Sequence, residues 1–194
     1  RETPWFLYLA FNAPHGASSF ASDQPGEKSH IGVQAPEKYV APYRGQVASE
    51  RLAQYCGAVT CMDDAIGEIL AHLRQTGQAE NTLVVFFSDN GGSGNGGNAP
   101  LRGQKSTMWE GGLRVPCIVW WPNKIPAGKV TDEFLTALEI LPTFASVAGA
   151  MLPKDVPLDG FDLLPVLQGK QPSPRTAGGS GRRSVPRARF APRA

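Results

Sequence analysis

Three groups of residues in this chain have the types and spacing to handle an ion. His15 closes the turn Asn12-Ala13-Pro14, just after an apolar run at 5–11. Asp89 and Asn90 directly follow a second apolar run at 82–88, and Leu101-Arg102-Gly103-Gln104-Lys105-Ser106 sets two cations around a glycine. A carboxylate beside an amide carbonyl offers hard oxygens for Ca²⁺ or Mg²⁺, although calcium needs about six to eight of them. A basic, glycine-containing loop suits an anion, and a histidine within reach can stabilise or protonate a leaving oxygen. Plainer uses exist for each group. Asp89-Asn90 also fits an Asx turn closing a strand, which composition alone favours. Arg102 and Arg114 read as structural donors to loop carbonyls. The basic loop falls short of a phosphate-binding P-loop, because Gln104 separates Gly103 from Lys105 and 108–112 does not open a convincing helix.

These groups need elements to hold them. The runs 5–11, 82–88 and 115–121 are short, continuous and rich in aromatic and β-branched residues, the pattern of strands buried on both faces. Between the first two, Leu52, Tyr55, Cys56, Val59, Met62, Ile66, Ile69, Leu70 and Leu73 recur at three- and four-residue steps. That spacing predicts one long amphipathic helix, with Gly77 as its stop. Residues 16–46 read as a long loop. Thr131 is expected to cap a helix over 132–141, with Pro142 kinking or restarting it before Gly149. Helices alternating with buried strands predict an α/β fold: a mostly parallel sheet flanked by helices. Ligands bind at the carboxyl edge of such a sheet, so His15 and Asp89-Asn90 are expected to share one crevice.

The chain has 194 residues, 41% hydrophobic and 19% charged, which suits a globular protein with a real core. Its 22 glycines and 17 prolines imply many turns. No apolar run approaches the roughly eighteen residues of a membrane span. The net charge of +2 hides an asymmetry: 172–194 carries six arginines and no acid, leaving 13 basic against 17 acidic residues, a net of −4, elsewhere. A mildly acidic body argues against nucleic acid as a partner. Residues 171–194 read as a disordered basic tail, with an anion-binding arm or a shifted reading frame as alternatives. Three cysteines cannot all pair, and Cys56 and Cys61 read as small buried hydrophobes. His30 reads as solvated and His72 as structural, while Asp63 and Asp64 suit capping or packing within the long helix.

Taken in order, several segments resemble the sulfatase family, particularly the arylsulfatase type. They are 4–11 leading into Ala13-Pro14-His15, then Met62-Asp63-Asp64-Ala65-Ile66-Gly67, Phe87-Ser88-Asp89-Asn90-Gly91-Gly92 and Leu101-Arg102-Gly103-Gln104-Lys105. Trp109-Glu110-Gly111-Gly112-Leu113-Arg114-Val115-Pro116, Leu141-Pro142-Thr143 and Asp159-Gly160-Phe161-Asp162-Leu163-Leu164-Pro165 follow. The resemblance covers about 4–170, so 1–170 reads as a partial catalytic domain. It implies an alkaline-phosphatase-like fold, here incomplete, and a sulfuric ester hydrolase. It also implies that Asp89 and Asn90 bind Ca²⁺, reversing the preference for a plain turn, and that Lys105 and His15 contact the sulfate as catalytic and substrate-binding residues.

The nucleophile of that family is a formylglycine made in a Cys-x-Pro-x-Arg motif. Cys56, Cys61 and Cys117 do not stand in one, and Ser184-Val185-Pro186-Arg187-Ala188 fails the serine form. The expectation is therefore a later portion of a sulfatase, with only part of the calcium site, the formylglycine upstream and no activity alone. Gly16-Ala17 after His15, and Glu139 before Leu-Pro-Thr, depart from the usual pattern. The implied substrate is a sulfated small molecule or glycan, and the implied location is extracytoplasmic. A phosphatase or phosphonate hydrolase of the same superfamily, and a non-catalytic anion-binding module, are the alternatives.

Overall fold

The computed structural model describes residues 3–18 and 31–175. The chain divides into two compact units, Arg1–Ala127 and Gly128–Ala194. His30 and most of the basic tail lie outside the described residues.

The first unit is organised by a long helix. A short helix α1 (Glu37–Val40) and a 3₁₀ turn (Ala41–Tyr43) precede α2 (Glu50–Gln75). Ser49 caps α2, its hydroxyl accepting from the Leu52 N–H at 3.2 Å, an arrangement worth about 1 kcal/mol. Gly77 takes a left-handed conformation just beyond the helix, at the predicted stop. The buried face of α2 coincides with the predicted stripe only at Leu73. Ala53, Gly57, Ala58 and Leu73 are buried, while Leu52, Tyr55, Val59, Met62 and Ile66 are only half-buried. Small residues win because α1 lies so close: a Cβ on Gly57 would stand 3.0 Å from the Tyr39 carbonyl oxygen. Cys56 and Cys61 are likewise half-buried rather than buried. Arg44 ties the junction by bonding both Glu37 and Glu50. The exposed Asp64 carboxylate raises the Tyr39 phenol above its ordinary value through a hydrogen bond.

The predicted strands at 82–88 and 115–121 form as β3 (Val84–Phe87) and β4 (Cys117–Trp120), after a two-residue pair, β1 (Ala17–Ser18) and β2 (Ile31–Gly32). Both pairs are antiparallel, with Val84 opposite Trp120 and Phe87 opposite Cys117. The expected parallel pairing is therefore absent among the described strands. An apolar run establishes that a segment can be a strand, but its partner's direction depends on the intervening chain. The run 5–11 forms no strand, and Phe6 and Tyr8 are 72% and 76% exposed. A strand exists only through inter-strand hydrogen bonds, and β3 and β4 pair with each other.

The second unit begins its helical part later than expected. Residues 132–136 are not helical; a 3₁₀ turn (Ala137–Glu139) leads into α4 (Ile140–Ala148). The cap is Thr136, not Thr131, because Glu139 three residues on completes a capping box with it. Pro142 then falls in the first turn of α4, where no backbone donor is needed, and causes no restart. Gly149 ends α4 as expected. The short α5 (Leu164–Leu167) packs here through buried Leu163 and Val166. Thr143 joins the pieces, donating to the Glu139 carbonyl at 2.6 Å and accepting from the Leu163 N–H at 2.8 Å. Glu139 is fully buried, and Arg175 pairs with it while donating to the Asp159 carbonyl at 2.9 Å. Ser173 also bonds Glu133 and the Phe134 carbonyl, so the unit's hydrogen bonds reach to residue 175.

Candidate active site

His15 and Lys105 meet across ninety residues. The turn ending at His15 is closed by its own N–H on the Asn12 carbonyl at 2.9 Å. His15 Nδ1 lies 2.7 Å from the Gly16 carbonyl oxygen and Nε2 lies 3.1 Å from Lys105 Nζ. The two contacts assign the tautomer. A carbonyl can only accept, so Nδ1 carries the hydrogen; Nε2 then holds the lone pair and accepts from the ammonium. His15 is exposed and Lys105 half-buried, so the pair is open to solvent. Parallel strand ends do not create this meeting; a turn and a basic loop do.

That basic loop is bolted to the segment carrying Asp89 and Asn90. The Lys105 N–H donates to the Gly92 carbonyl at 3.1 Å, and the Gly91 N–H to the Gly112 carbonyl at 3.0 Å. The Gly111 N–H donates to the Arg102 carbonyl at 2.7 Å. Three loop pieces, 89–92, 102–105 and 110–112, thus share one backbone network. Their approach tolerates no side chain: a Cβ on Gly91 would overlap the Gly111 carbonyl oxygen and lie 2.9 Å from Gly112 Cα. A Cβ on Gly112 would sit 2.5 Å from the Gln104 carbonyl oxygen. The helix α3 (Glu110–Leu113) is the short turn in which Gly111 and Gly112 sit, both buried.

Asp89 lies two residues beyond β3, exposed, with Asn90 half-buried beside it. The Asn90 carbonyl accepts from the Ser88 hydroxyl at 2.9 Å, a local turn closure. Their side chains make no hydrogen bond or ion pair with His15 or Lys105 among the described residues. The backbone network brings the two loops together instead. As a donor set, one unengaged carboxylate and one amide fit calcium in type. No group of three His, Cys, Asp or Glu that could hold a metal occurs among the described residues.

Other side chains take simpler roles. Arg102 stacks on the Trp109 ring, 3.6 Å from its centroid, rather than bonding a loop carbonyl through its guanidinium. His72 is exposed on α2, and Asp63 is exposed there too. Cys117 is an exposed residue at the start of β4, yet burial around its sulfur pushes the thiol up, away from a reactive thiolate. Sequence reasoning missed Asn98. Its Oδ1 accepts from the Gly92 N–H at 2.8 Å, and its Nδ2 donates to the Gly92 carbonyl at 2.7 Å and the Gly103 carbonyl at 3.3 Å. An asparagine in a glycine-rich loop reads as turn chemistry, so no local signal distinguished it.

The family model for Sulfatase matches residues 1–150. This chain belongs to the sulfatase family. It is 34% identical over 173 residues to the uncharacterized sulfatase YdeN of Escherichia coli (strain K12), covering 88% of this chain and 28% of YdeN. It is 36% identical over 176 residues to the N-acetylgalactosamine-6-sulfatase of Canis lupus familiaris, covering 88% of this chain and 30% of that sulfatase. Among solved structures, Ps i-CgsB in complex with k-i-k-neocarrahexaose superposes with a TM-score of 0.76 at 34% identity, over 89% of this chain and 35% of that one. The fold is thus that of a piece of a sulfatase, and the chain spans less than a third of the length of these curated relatives.

Proposed function

We propose that this chain supplies the anion-contacting loops of a sulfuric ester hydrolase acting on a sulfated saccharide. The observation that carries the reading is the meeting of Lys105 Nζ with His15 Nε2 at 3.1 Å. The saccharide class is supported by two relatives: one named for an N-acetylgalactosamine 6-sulfate ester, the other complexed with a neocarrahexaose. The parallel sheet, arylsulfatase-type chemistry and extracytoplasmic location implied by the resemblance belong to the same proposal. None of the described helices is long and apolar enough to cross a membrane.

Ester cleavage builds negative charge on the leaving oxygen and redistributes it around sulfur. Lys105, held by its backbone bond to Gly92, directs a positive charge at that position without reorganising. His15 presents Nε2 to the same place, where it can take a proton and pass it to the leaving oxygen. The Nδ1–H bond to Gly16 keeps the ring oriented throughout. Asp89 and Asn90 would contribute two oxygens to a calcium ion, which would supply positive charge to offset the sulfate's. The cysteines here do not fit a formylglycine motif, so no step through that group is drawn from this chain, and we expect it to be inactive alone.

Titration of the chain with inorganic sulfate tests the reading. Wild type is expected to bind, and Lys105→Ala to bind at least about tenfold more weakly, as loss of a charge-assisted hydrogen bond requires. Equal affinities would refute it. Tighter binding of phosphate than of sulfate through the same lysine would favour the phosphoester alternative. A chromogenic aryl sulfate is expected to stay intact; turnover above the Lys105→Ala control would overturn the expected inactivity. Calcium is expected to bind weakly through Asp89, and tight binding lost in Asp89→Ala would contradict the partial site.

A further inference from the structure

We infer that Asn98 is a positioning residue for Lys105, acting through the Gly92 peptide. This inference rests on the reading of Lys105 as an anion contact and adds a residue to it. Asn98 uses both ends of its amide on one backbone unit: Oδ1 accepts from the Gly92 N–H and Nδ2 donates to the Gly92 carbonyl. The same carbonyl oxygen receives the Lys105 N–H at 3.1 Å. Nδ2 also reaches the Gly103 carbonyl at 3.3 Å, two residues before Lys105. One half-buried side chain therefore holds the segment carrying Asp89-Asn90 and the loop carrying Lys105 in fixed relation.

Position and valence make the role specific. Gly92 has no side chain to anchor it, so its peptide plane is set by what bonds to it. A planar amide is suited to satisfying a neighbouring N–H and C=O together, because it carries an acceptor and two donors. Aspartate in its ionised form keeps the acceptor and loses both donors. It would also face the Gly92 and Gly103 carbonyl oxygens with negative charge. Alanine loses all three bonds. In either case the Gly92 carbonyl can turn, and the Lys105 N–H follows it, moving Nζ away from His15.

The test reads Lys105 directly. The full chain is treated with a limiting dose of acetic anhydride, and acetylation of Lys105 is measured against exposed Lys154 by peptide mass spectrometry. Asn98→Ala and Asn98→Asp are compared with Val40→Ala, which loosens the α1–α2 packing away from these loops. Both Asn98 variants are expected to raise relative labelling of Lys105 at least fivefold, with Val40→Ala within twofold of wild type. Labelling within twofold of wild type in both Asn98 variants overturns the inference. So does an equal rise in Val40→Ala, which would mark a general loss of stability. Sulfate titration of the same samples separates the two proposals. A wild type that ignores sulfate, while Asn98→Ala frees Lys105, refutes the anion-site reading and leaves the positioning role standing.

Discussion

The closest backbone approach in the site yields the sharpest prediction, Gly91→Ala. The added methyl would overlap the Gly111 carbonyl oxygen, 2.8 Å from its carbon and 2.9 Å from Gly112 Cα. All three are backbone atoms, so no rotamer change can make room. Restoring ordinary contact forces the 110–112 turn to move by more than an ångström. Neither the Gly91 N–H bond to the Gly112 carbonyl nor the Gly111 N–H bond to the Arg102 carbonyl survives that movement. Two lost hydrogen bonds cost about 1 kcal/mol each, and overpacking adds about 1–3 kcal/mol. The expected loss is about 4 kcal/mol, a large share of a typical domain's stability. Urea unfolding followed by circular dichroism measures it. Gly97→Ala is the control, since its methyl would meet nothing within 4 Å; it is expected to change stability by less than about 0.5 kcal/mol. A Gly91→Ala chain within about 1 kcal/mol of that control would show that the loops do not pack as closely as described.

Two further outcomes follow from the charged groups. Arg175→Ala strands the fully buried Glu139 carboxylate without its partner and is expected to destabilise by about 3–5 kcal/mol, read from the shift in urea midpoint; a loss below about 1 kcal/mol would refute the pairing. Arg44 holds the Glu50 carboxyl below its ordinary value of 4.5, so Glu50 contributes stability above that pH and loses it as pH falls through the lowered value. Glu50→Gln is expected to flatten the acid limb of a stability-against-pH curve, and an unchanged slope below about pH 4.5 would count against the Arg44 contact.

Much of this protein is decided locally. The long helix, its Ser49 start and its Gly77 stop follow from spacing and capping chemistry, which act within a turn or two. Strands β3 and β4 follow from continuous apolar runs, and the ordered motifs around Asp89-Asn90 and Lys105 resemble one family strongly enough to point to it. Other features depend on partners distant in the chain. The antiparallel pairing of β3 with β4, the exposure of Phe6 and Tyr8, and the buried Ala53-Gly57-Ala58 face each depend on which element lies opposite. The capping box at Thr136 was legible in its spacing to Glu139, but Thr131 offered a competing start. Lys105 could be singled out by its type, whereas its meeting with His15 and its hold through Asn98 arise only when the 102–105 loop and Asn98 close on Gly92 and the His15 turn reaches them. Residue types and short-range spacing determine which chemistry is possible here; long-range packing decides which of those groups touch, because hydrogen bonds and close contacts extend only a few ångströms while the chain between them spans up to ninety residues.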